Sequence, residues 1–339
     1  MKSMNMKQKY RGAGVGRCVA ALTVLVLGPV LSVQAAVEVD QSPLIVSDPL
    51  PPNIVLLHDD SGSMGRNYLP DDAPRGGWSG FRDSSQNRQY YNPETLYTLP
   101  PKADGTSYPE PTFPNGYEDP FEDTDTDNIL SKWDYSESVG YEVDHLYTQR
   151  WSCENDGGSW ERDNWWEDRE CRFYSRAFVY FDGNDKHYVI EDNKSCNGLT
   201  NCHKAGDSLT IDGITTTYGQ NVANYYSYYR ARYLAAKSGI MSSFSSLDPS
   251  YRFGFGSLNN SNSGKMSDDT FSHTFSTLIN GGGYWYEDKH TITIEEVKPY
   301  GSGEDNTQKK QFWDWREGVG RNGGTPLCPS LETGGKSSQ

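Results

Sequence analysis

The chain has 339 residues, with 31 basic and 46 acidic side chains and a formal net charge of −15. That length holds one large domain or two modest ones. A balance this acidic gives no electrostatic reason to bind nucleic acid and excludes that class of partner; acidic clusters suit hard cations or simple solubility.

Lys2, Lys7, Lys9, Arg11 and Arg17 open the chain without an acidic residue, an apolar run follows from Cys18 to Leu31, and small residues stand at Val33-Gln34-Ala35-Ala36. This order predicts a secretory signal peptide over residues 1–35 and export of the rest. A membrane anchor is the competing reading, but the apolar run is shorter than the ~20 residues a span needs. Removing five of the 31 basic residues deepens the balance to −20.

Pro49-Leu50-Pro51-Pro52 is a stiff lead-in to Asn53–His58, a short apolar run that suits a strand buried on both faces. Residues 66–219 differ in composition: rich in Tyr, Trp, Asp, Asn, Pro and Gly, and without sustained helical spacing. They read as an irregular insertion held by disulfides and aromatic packing. Cys153, Cys171, Cys196 and Cys202 fall inside it and, in an oxidising compartment, suit two disulfides. Sequence proximity favours Cys153–Cys171 and Cys196–Cys202; three pairings are possible, and a zinc site competes without a Cys-x2-Cys pair to support it. From Asn221 to Phe244 apolar and aromatic residues recur every three or four positions, which predicts one long amphipathic helix. Strands are predicted at 251–258 and 291–297. Strand, insertion, helix and strand together fit an α/β doubly wound domain over 36–339, with its site on the first strand-end loop.

That loop reads Asp59-Asp60-Ser61-Gly62-Ser63. Alternation turns Asp59, Ser61 and Ser63 to one side, giving one carboxylate and two hydroxyls in a small arc. Mg²⁺ keeps several waters and takes oxygens in near-octahedral geometry, so three protein oxygens suit it, with Ca²⁺ the alternative. A plain polar turn is the competing account. The pattern resembles the metal-ion-dependent adhesion site of von Willebrand factor A-like (vWA) domains, and Gly323-Gly324-Thr325-Pro326-Leu327 resembles its second loop, which implies Thr325 as a further ligand.

A wider resemblance covers about residues 40–327. It rests on Asp59 to Met64 with Tyr68-Leu69-Pro70-Asp71, and on Tyr91-Asn92-Pro93 with Tyr97 and Pro100-Pro101. Tyr225 to Arg232 leading to Lys237, Arg252 to Gly256, Phe312-Trp313-Asp314-Trp315 and the Gly-Gly-Thr-Pro-Leu loop complete the series. In this order they are similar to the N-terminal part of PilY1-type proteins, large adhesins associated with type IV pili. The resemblance implies a vWA domain followed by a β-propeller, with roles in pilus assembly, surface attachment, surface sensing and twitching. It also implies pilus components such as minor pilins, and host-cell or surface ligands, as partners. One departure is plain: after Leu327 the sequence runs through Cys328 into a polar tail to Gln339, without the family's helix after Pro326 or its later acidic loop. The expectation is a vWA-like domain incomplete at its C-terminal end, with an exposed sheet edge.

Weaker signals remain. Asp123, Asp125, Asp127 and Asp134 imitate the spacing of a calcium loop, with a solvated acidic loop as the alternative. Trp151, Trp160, Trp165, Trp166, Tyr174, Phe178, Tyr180 and Phe181 read either as a carbohydrate- or surface-binding face or as a local core. Gly206-Asp207-Ser208-Leu209 lacks a downstream triad partner, Gly335-Lys336-Ser337 lacks the first glycine of a phosphate loop, and the six histidines show no metal spacing. No nucleophile–base pair emerges, and the chain reads as a binding module rather than an enzyme.

Overall fold

The computed structural model describes residues 51–337 apart from 70–79, 145, 147, 156–158, 163–164, 167, 197, 282–283, 306 and 322. The predicted signal peptide lies outside them. The apolar run becomes β1 (Asn53–His58). The 66–219 region supplies β2 (Asn115–Tyr117), β3 (Thr126–Asn128), β4 (Ser136–Asp144), α1 (Arg150–Asn155) and β5 (Ser159–Glu161). It continues with β6 (Glu170–Asp182), β7 (Asp185–Ile190), β8 (Cys202–Lys204), β9 (Ser208–Ile211) and β10 (Ile214–Thr217). After it come α2 (Tyr218–Tyr228), α3 (Arg232–Phe244), β11 (Arg252–Ser257), β12 (Thr270–Gly281), β13 (Tyr284–Pro299), α4 (Gln308–Glu317) and α5 (Leu327–Ser337). The protein is mixed α/β.

The main sheet runs β1-β11-β13-β12, with β1 and β11 parallel and the other pairs antiparallel. Ile54 pairs with Phe253 and Leu56 with Phe255, so these four share a face. That face packs on Leu234 and Met241 of α3 and on Phe312 and Trp315 of α4. Val55 and Leu57 point the other way and meet α5, where a Cβ on Gly334 would stand 3.0 Å from Leu57 and 3.8 Å from Val55. Burial on both faces is why β1 is apolar throughout rather than alternating. In β11 the alternation of Phe with Gly has a steric cause. A Cβ on Gly256 would lie 2.7 Å from the Thr293 carbonyl of β13, so β13 closes on that strand only where the side chain is missing.

Three expectations are corrected. The insertion is not irregular: β4, β6, β7 and β8 form a sheet with β5 added on β6. Its strands rest on tyrosine and phenylalanine, which support a pleated surface as well as aliphatic residues do. The single long helix is two. The break at 229–231 is filled by Arg230, which donates to the carbonyls of Tyr117 and Glu118 at 2.9 and 2.6 Å. Beside it the Arg232 amide donates to the Arg66 carbonyl at 3.0 Å. Apolar spacing is the same on both sides of the break, so periodicity cannot see it. Finally, the segment after Pro326 is not a polar tail but α5, which lays Ser330, Thr333 and Gly334 on the sheet and leaves Leu327 and Leu331 exposed. A small-residue face packs closely without apolar spacing, which is why the sequence did not read as a helix.

A second core fills the insertion. Tyr90, Tyr91, Tyr135, Phe178, Tyr180 and Tyr225 pack with Ile129, Leu130, Val189 and Val222. Asn221 of α2 straps the insertion down: its Oδ1 accepts from the Tyr97 amide at 2.9 Å and its Nδ2 donates to the Thr95 carbonyl at 3.0 Å. Disulfides join Cys153 to Cys171 and Cys196 to Cys202.

Candidate metal centre

β1 delivers its carboxyl end directly into Asp59-Asp60-Ser61, and a 3-10 turn follows over Gly62–Gly65. The Ser61 amide donates to Asp59 Oδ1 at 2.9 Å, which orients that carboxylate over the turn. The hydroxyls of Ser61 and Ser63 lie 3.1 Å apart. Adjacent oxygens around an octahedral cation with ~2.1 Å bonds are separated by roughly 3.0 Å. The pair therefore has the spacing that two neighbouring ligands of such a cation would have.

Asp60 faces inward and is fully buried. Its Oδ1 accepts from the Asn259 amide at 2.8 Å and from Asn259 Nδ2 at 3.0 Å, and its Oδ2 from the Ser261 amide at 3.0 Å. This carboxylate ties the loop after β11 to the loop after β1. Asn259 Nδ2 also donates to the Gly324 carbonyl at 2.7 Å, while the Gly62 amide donates to the Gly323 carbonyl at 3.2 Å. Gly323 sits at φ +87°, a left-handed conformation that glycine adopts without strain. Three loops thus converge at the carboxyl ends of β1 and β11, where α/β sheets hold ligands. Thr325 rides on the third of them with an exposed side chain.

Asp60 and Asn259 escaped the sequence reading. The signal was present: of two consecutive aspartates at a strand end, one must turn inward, and Leu258-Asn259-Asn260-Ser261 is a polar loop at the end of a second predicted strand.

Behind the loop lies a buried basic group. His58 is buried, its Nε2 is without a hydrogen-bond partner, and burial, then Arg316 and Lys237, push it well below the usual histidine range. Lys237 donates to the Glu317 carbonyl at 2.6 Å and lies 3.5 Å from Asp119. Burial lowers it too. Arg316 is fully buried, and burial pulls it down to about 9, still charged at neutral pH.

The second acidic series is not assembled. Asp127 sits on β3 and pairs with Lys132 at 2.6 Å, and Asp123 accepts from the Asp125 amide at 3.2 Å. Burial raises Asp134. Among the described residues no group of three His, Cys, Asp or Glu side chains could hold a metal. The aromatic series splits: Phe178 and Tyr180 are core, whereas Trp151, Trp165 and Trp166 are exposed at 68%, 78% and 67%. The Tyr174 and Cys328 side chains lie outside the described residues.

No family model matches the chain, and no solved structure is significantly similar. Among curated proteins, the type IV pilus biogenesis factor PilY1 of Pseudomonas aeruginosa strain PAO1 is 27% identical over 98% of this chain and 24% of its own length. Its counterpart in strain PAK is 26% identical with the same coverage. In strain UCBPP-PA14 the figures are 25%, over 90% of this chain and 22% of the relative. The chain is PilY1-like. It spans about a quarter of the length of the PilY1 proteins it matches. At 98% coverage the PilY1 likeness takes in the three loops, the insertion and α4 alike. These relatives are named as biogenesis factors, a description that is not enzymatic. Among the described residues no helix is long and apolar enough to cross a membrane.

Proposed function

We propose that this chain is the vWA-like binding region of an exported type IV pilus biogenesis and adhesion factor. In this reading it is a binding module, not an enzyme, and acts at the periplasm, outer membrane or cell surface with the pilus, in attachment and twitching. Asp59, Ser61, Ser63 and Thr325 would hold Mg²⁺ or Ca²⁺. The 3.1 Å hydroxyl pair beside Asp59 carries the proposal. The parallel β1–β11 pair flanked by antiparallel β13, with helices on both faces of β1, supports the vWA-like reading. What a bound cation supplies is a coordination position open to a carboxylate of a partner, whether a minor pilin or a host or surface ligand.

A purely structural metal is the rival account. Asp60, Asn259 and Gly323 already tie the three loops together through protein hydrogen bonds, which favours a cation used for binding over one needed for folding. Calorimetric titration of the chelator-stripped chain with MgCl₂ and CaCl₂ is the test, run on the native chain and on Asp59→Ala. Saturable binding by the native chain, at least tenfold weakened in the variant and with a melting temperature moved by only a few degrees, supports it. Equal titration of both chains removes the site. A large metal-dependent melting shift with unaltered binding to pilus fractions favours the structural account.

A further inference from the structure

A cavity of about 810 Å³ opens between insertion loops at 102–109 and 120–124 and residues 303–317. That volume is in the range of small-ligand sites. Its floor is made of the Tyr108, Phe121 and Trp313 rings, and all three are fixed. Tyr108 and Phe121 meet edge to face at 4.9 Å. The Tyr108 hydroxyl donates to Glu317 at 2.5 Å, and Trp313 Nε1 to the Pro101 carbonyl at 3.0 Å.

Seven carboxylate residues and two lysines line this space. Lys310 is already paired with Asp314. Lys102 places its ammonium 5.6 Å from the centre of the Tyr108 ring. The other two floor rings also receive an ammonium, Lys309 at 5.5 Å from Trp313 and Lys237 at 5.4 Å from Phe121. A cation over an aromatic face in a partly desolvated pocket is attracted by the ring quadrupole. The chain's own Lys102 therefore marks the chemistry that the Tyr108 ring accepts when Lys102 moves aside. The carboxylates of Asp104, Asp123, Glu304 and Asp305 line this space. A complementary ligand carries more than one cation along an extended backbone.

We propose that this cavity binds a basic peptide segment, with a Lys or Arg side chain of the ligand displacing Lys102 from the Tyr108 ring. The reading is independent of the metal loop. The test is fluorescence anisotropy at low salt with labelled Gly-Lys-Arg-Lys-Gly and the full chain, with EDTA present. Binding should weaken about tenfold in Glu304→Gln/Asp305→Asn, the scale expected when charge-assisted contacts are lost. It should tighten about threefold in Lys102→Ala, which frees the ring and removes a like charge. Asp185→Asn, at the exposed first residue of β7, should leave it unchanged. Lys102, Glu304 and Asp305 lie in loops or turns and Asp185 at a strand end, and near-UV circular dichroism verifies folding of each variant. The proposal is overturned if the peptide does not bind, or if Asp185→Asn weakens binding as much as the rim pair, which would indicate attraction to an acidic surface at large. It is also overturned if Lys102→Ala fails to tighten binding, or if spermidine binds as tightly as the peptide with the same variant pattern.

Discussion

The two cores of the molecule are built from different chemistry. Beneath the main sheet, Phe253, Phe255, Phe312 and Trp315 meet ring to ring at 4.8–6.1 Å among Leu234 and Met241. The insertion core is chiefly tyrosine. There the Tyr90 hydroxyl donates to the Val179 carbonyl at 2.6 Å, the Tyr91 hydroxyl accepts from Asn221 at 3.1 Å, and the Tyr97 hydroxyl accepts from the Asn92 amide at 3.0 Å. Apolar burial is non-directional and supplies most of the stabilisation, about 1.5–3 kcal/mol for each large side chain. A buried hydroxyl must instead find a partner at one place, so a tyrosine core dictates the path of the chain around it. The sheet core sets how stable the protein is; the insertion core sets where its loops run.

The largest expected effect tests the first half of that contrast. Trp315→Ala should cost about 3–5 kcal/mol, the scale for a large aromatic deleted from a packed core, read from guanidinium unfolding. A loss below about 1 kcal/mol would mean that the stability centre lies elsewhere. Next comes Cys153→Ser/Cys171→Ser, which opens a link spanning 18 residues and should cost the insertion about 3 kcal/mol. Hydrogen exchange should accelerate in β4 to β6 while β1 and β11 keep their protection; uniform acceleration would make the two cores one cooperative unit. Tyr90→Phe keeps the ring and leaves the Val179 carbonyl without its hydroxyl, so about 1–2 kcal/mol is expected, again confined to the insertion. No change would show that the hydroxyls do not fix its path.

The smallest effect concerns pH. His203 stacks between His187 at 5.8 Å and Tyr218 at 4.0 Å. Burial first, and then His187, lowers it below its ordinary value of 6.5. The folded state therefore prefers the neutral ring, and the unfolded chain binds the extra proton. Stability from this group is intact above about pH 6.5 and is lost as pH falls below it. His203→Phe, which keeps the stack, should flatten the decline in urea midpoint between pH 7 and pH 5. An unaltered decline would assign it to other groups.

Residues 53–63 were legible because their information is local. An apolar run of strand length followed by a short polar stretch needs only its neighbours to declare a strand and the turn after it. The Phe–Gly alternation of β11 was legible for the same reason, and so was the proximity of each cysteine pair. Other features depend on residues far away in sequence. Asp60 is an anchor only because Asn259 arrives beside it, 199 positions later. The helix breaks at 229–231 because the Tyr117 carbonyl and the Arg66 backbone are there to meet it. The cavity exists only where Tyr108 and Trp313, 205 positions apart, are brought together. Periodicity and spacing report what a segment can do by itself. Which buried polar group meets which, and what space is left between packed elements, is settled when burial forces distant partners to satisfy one another.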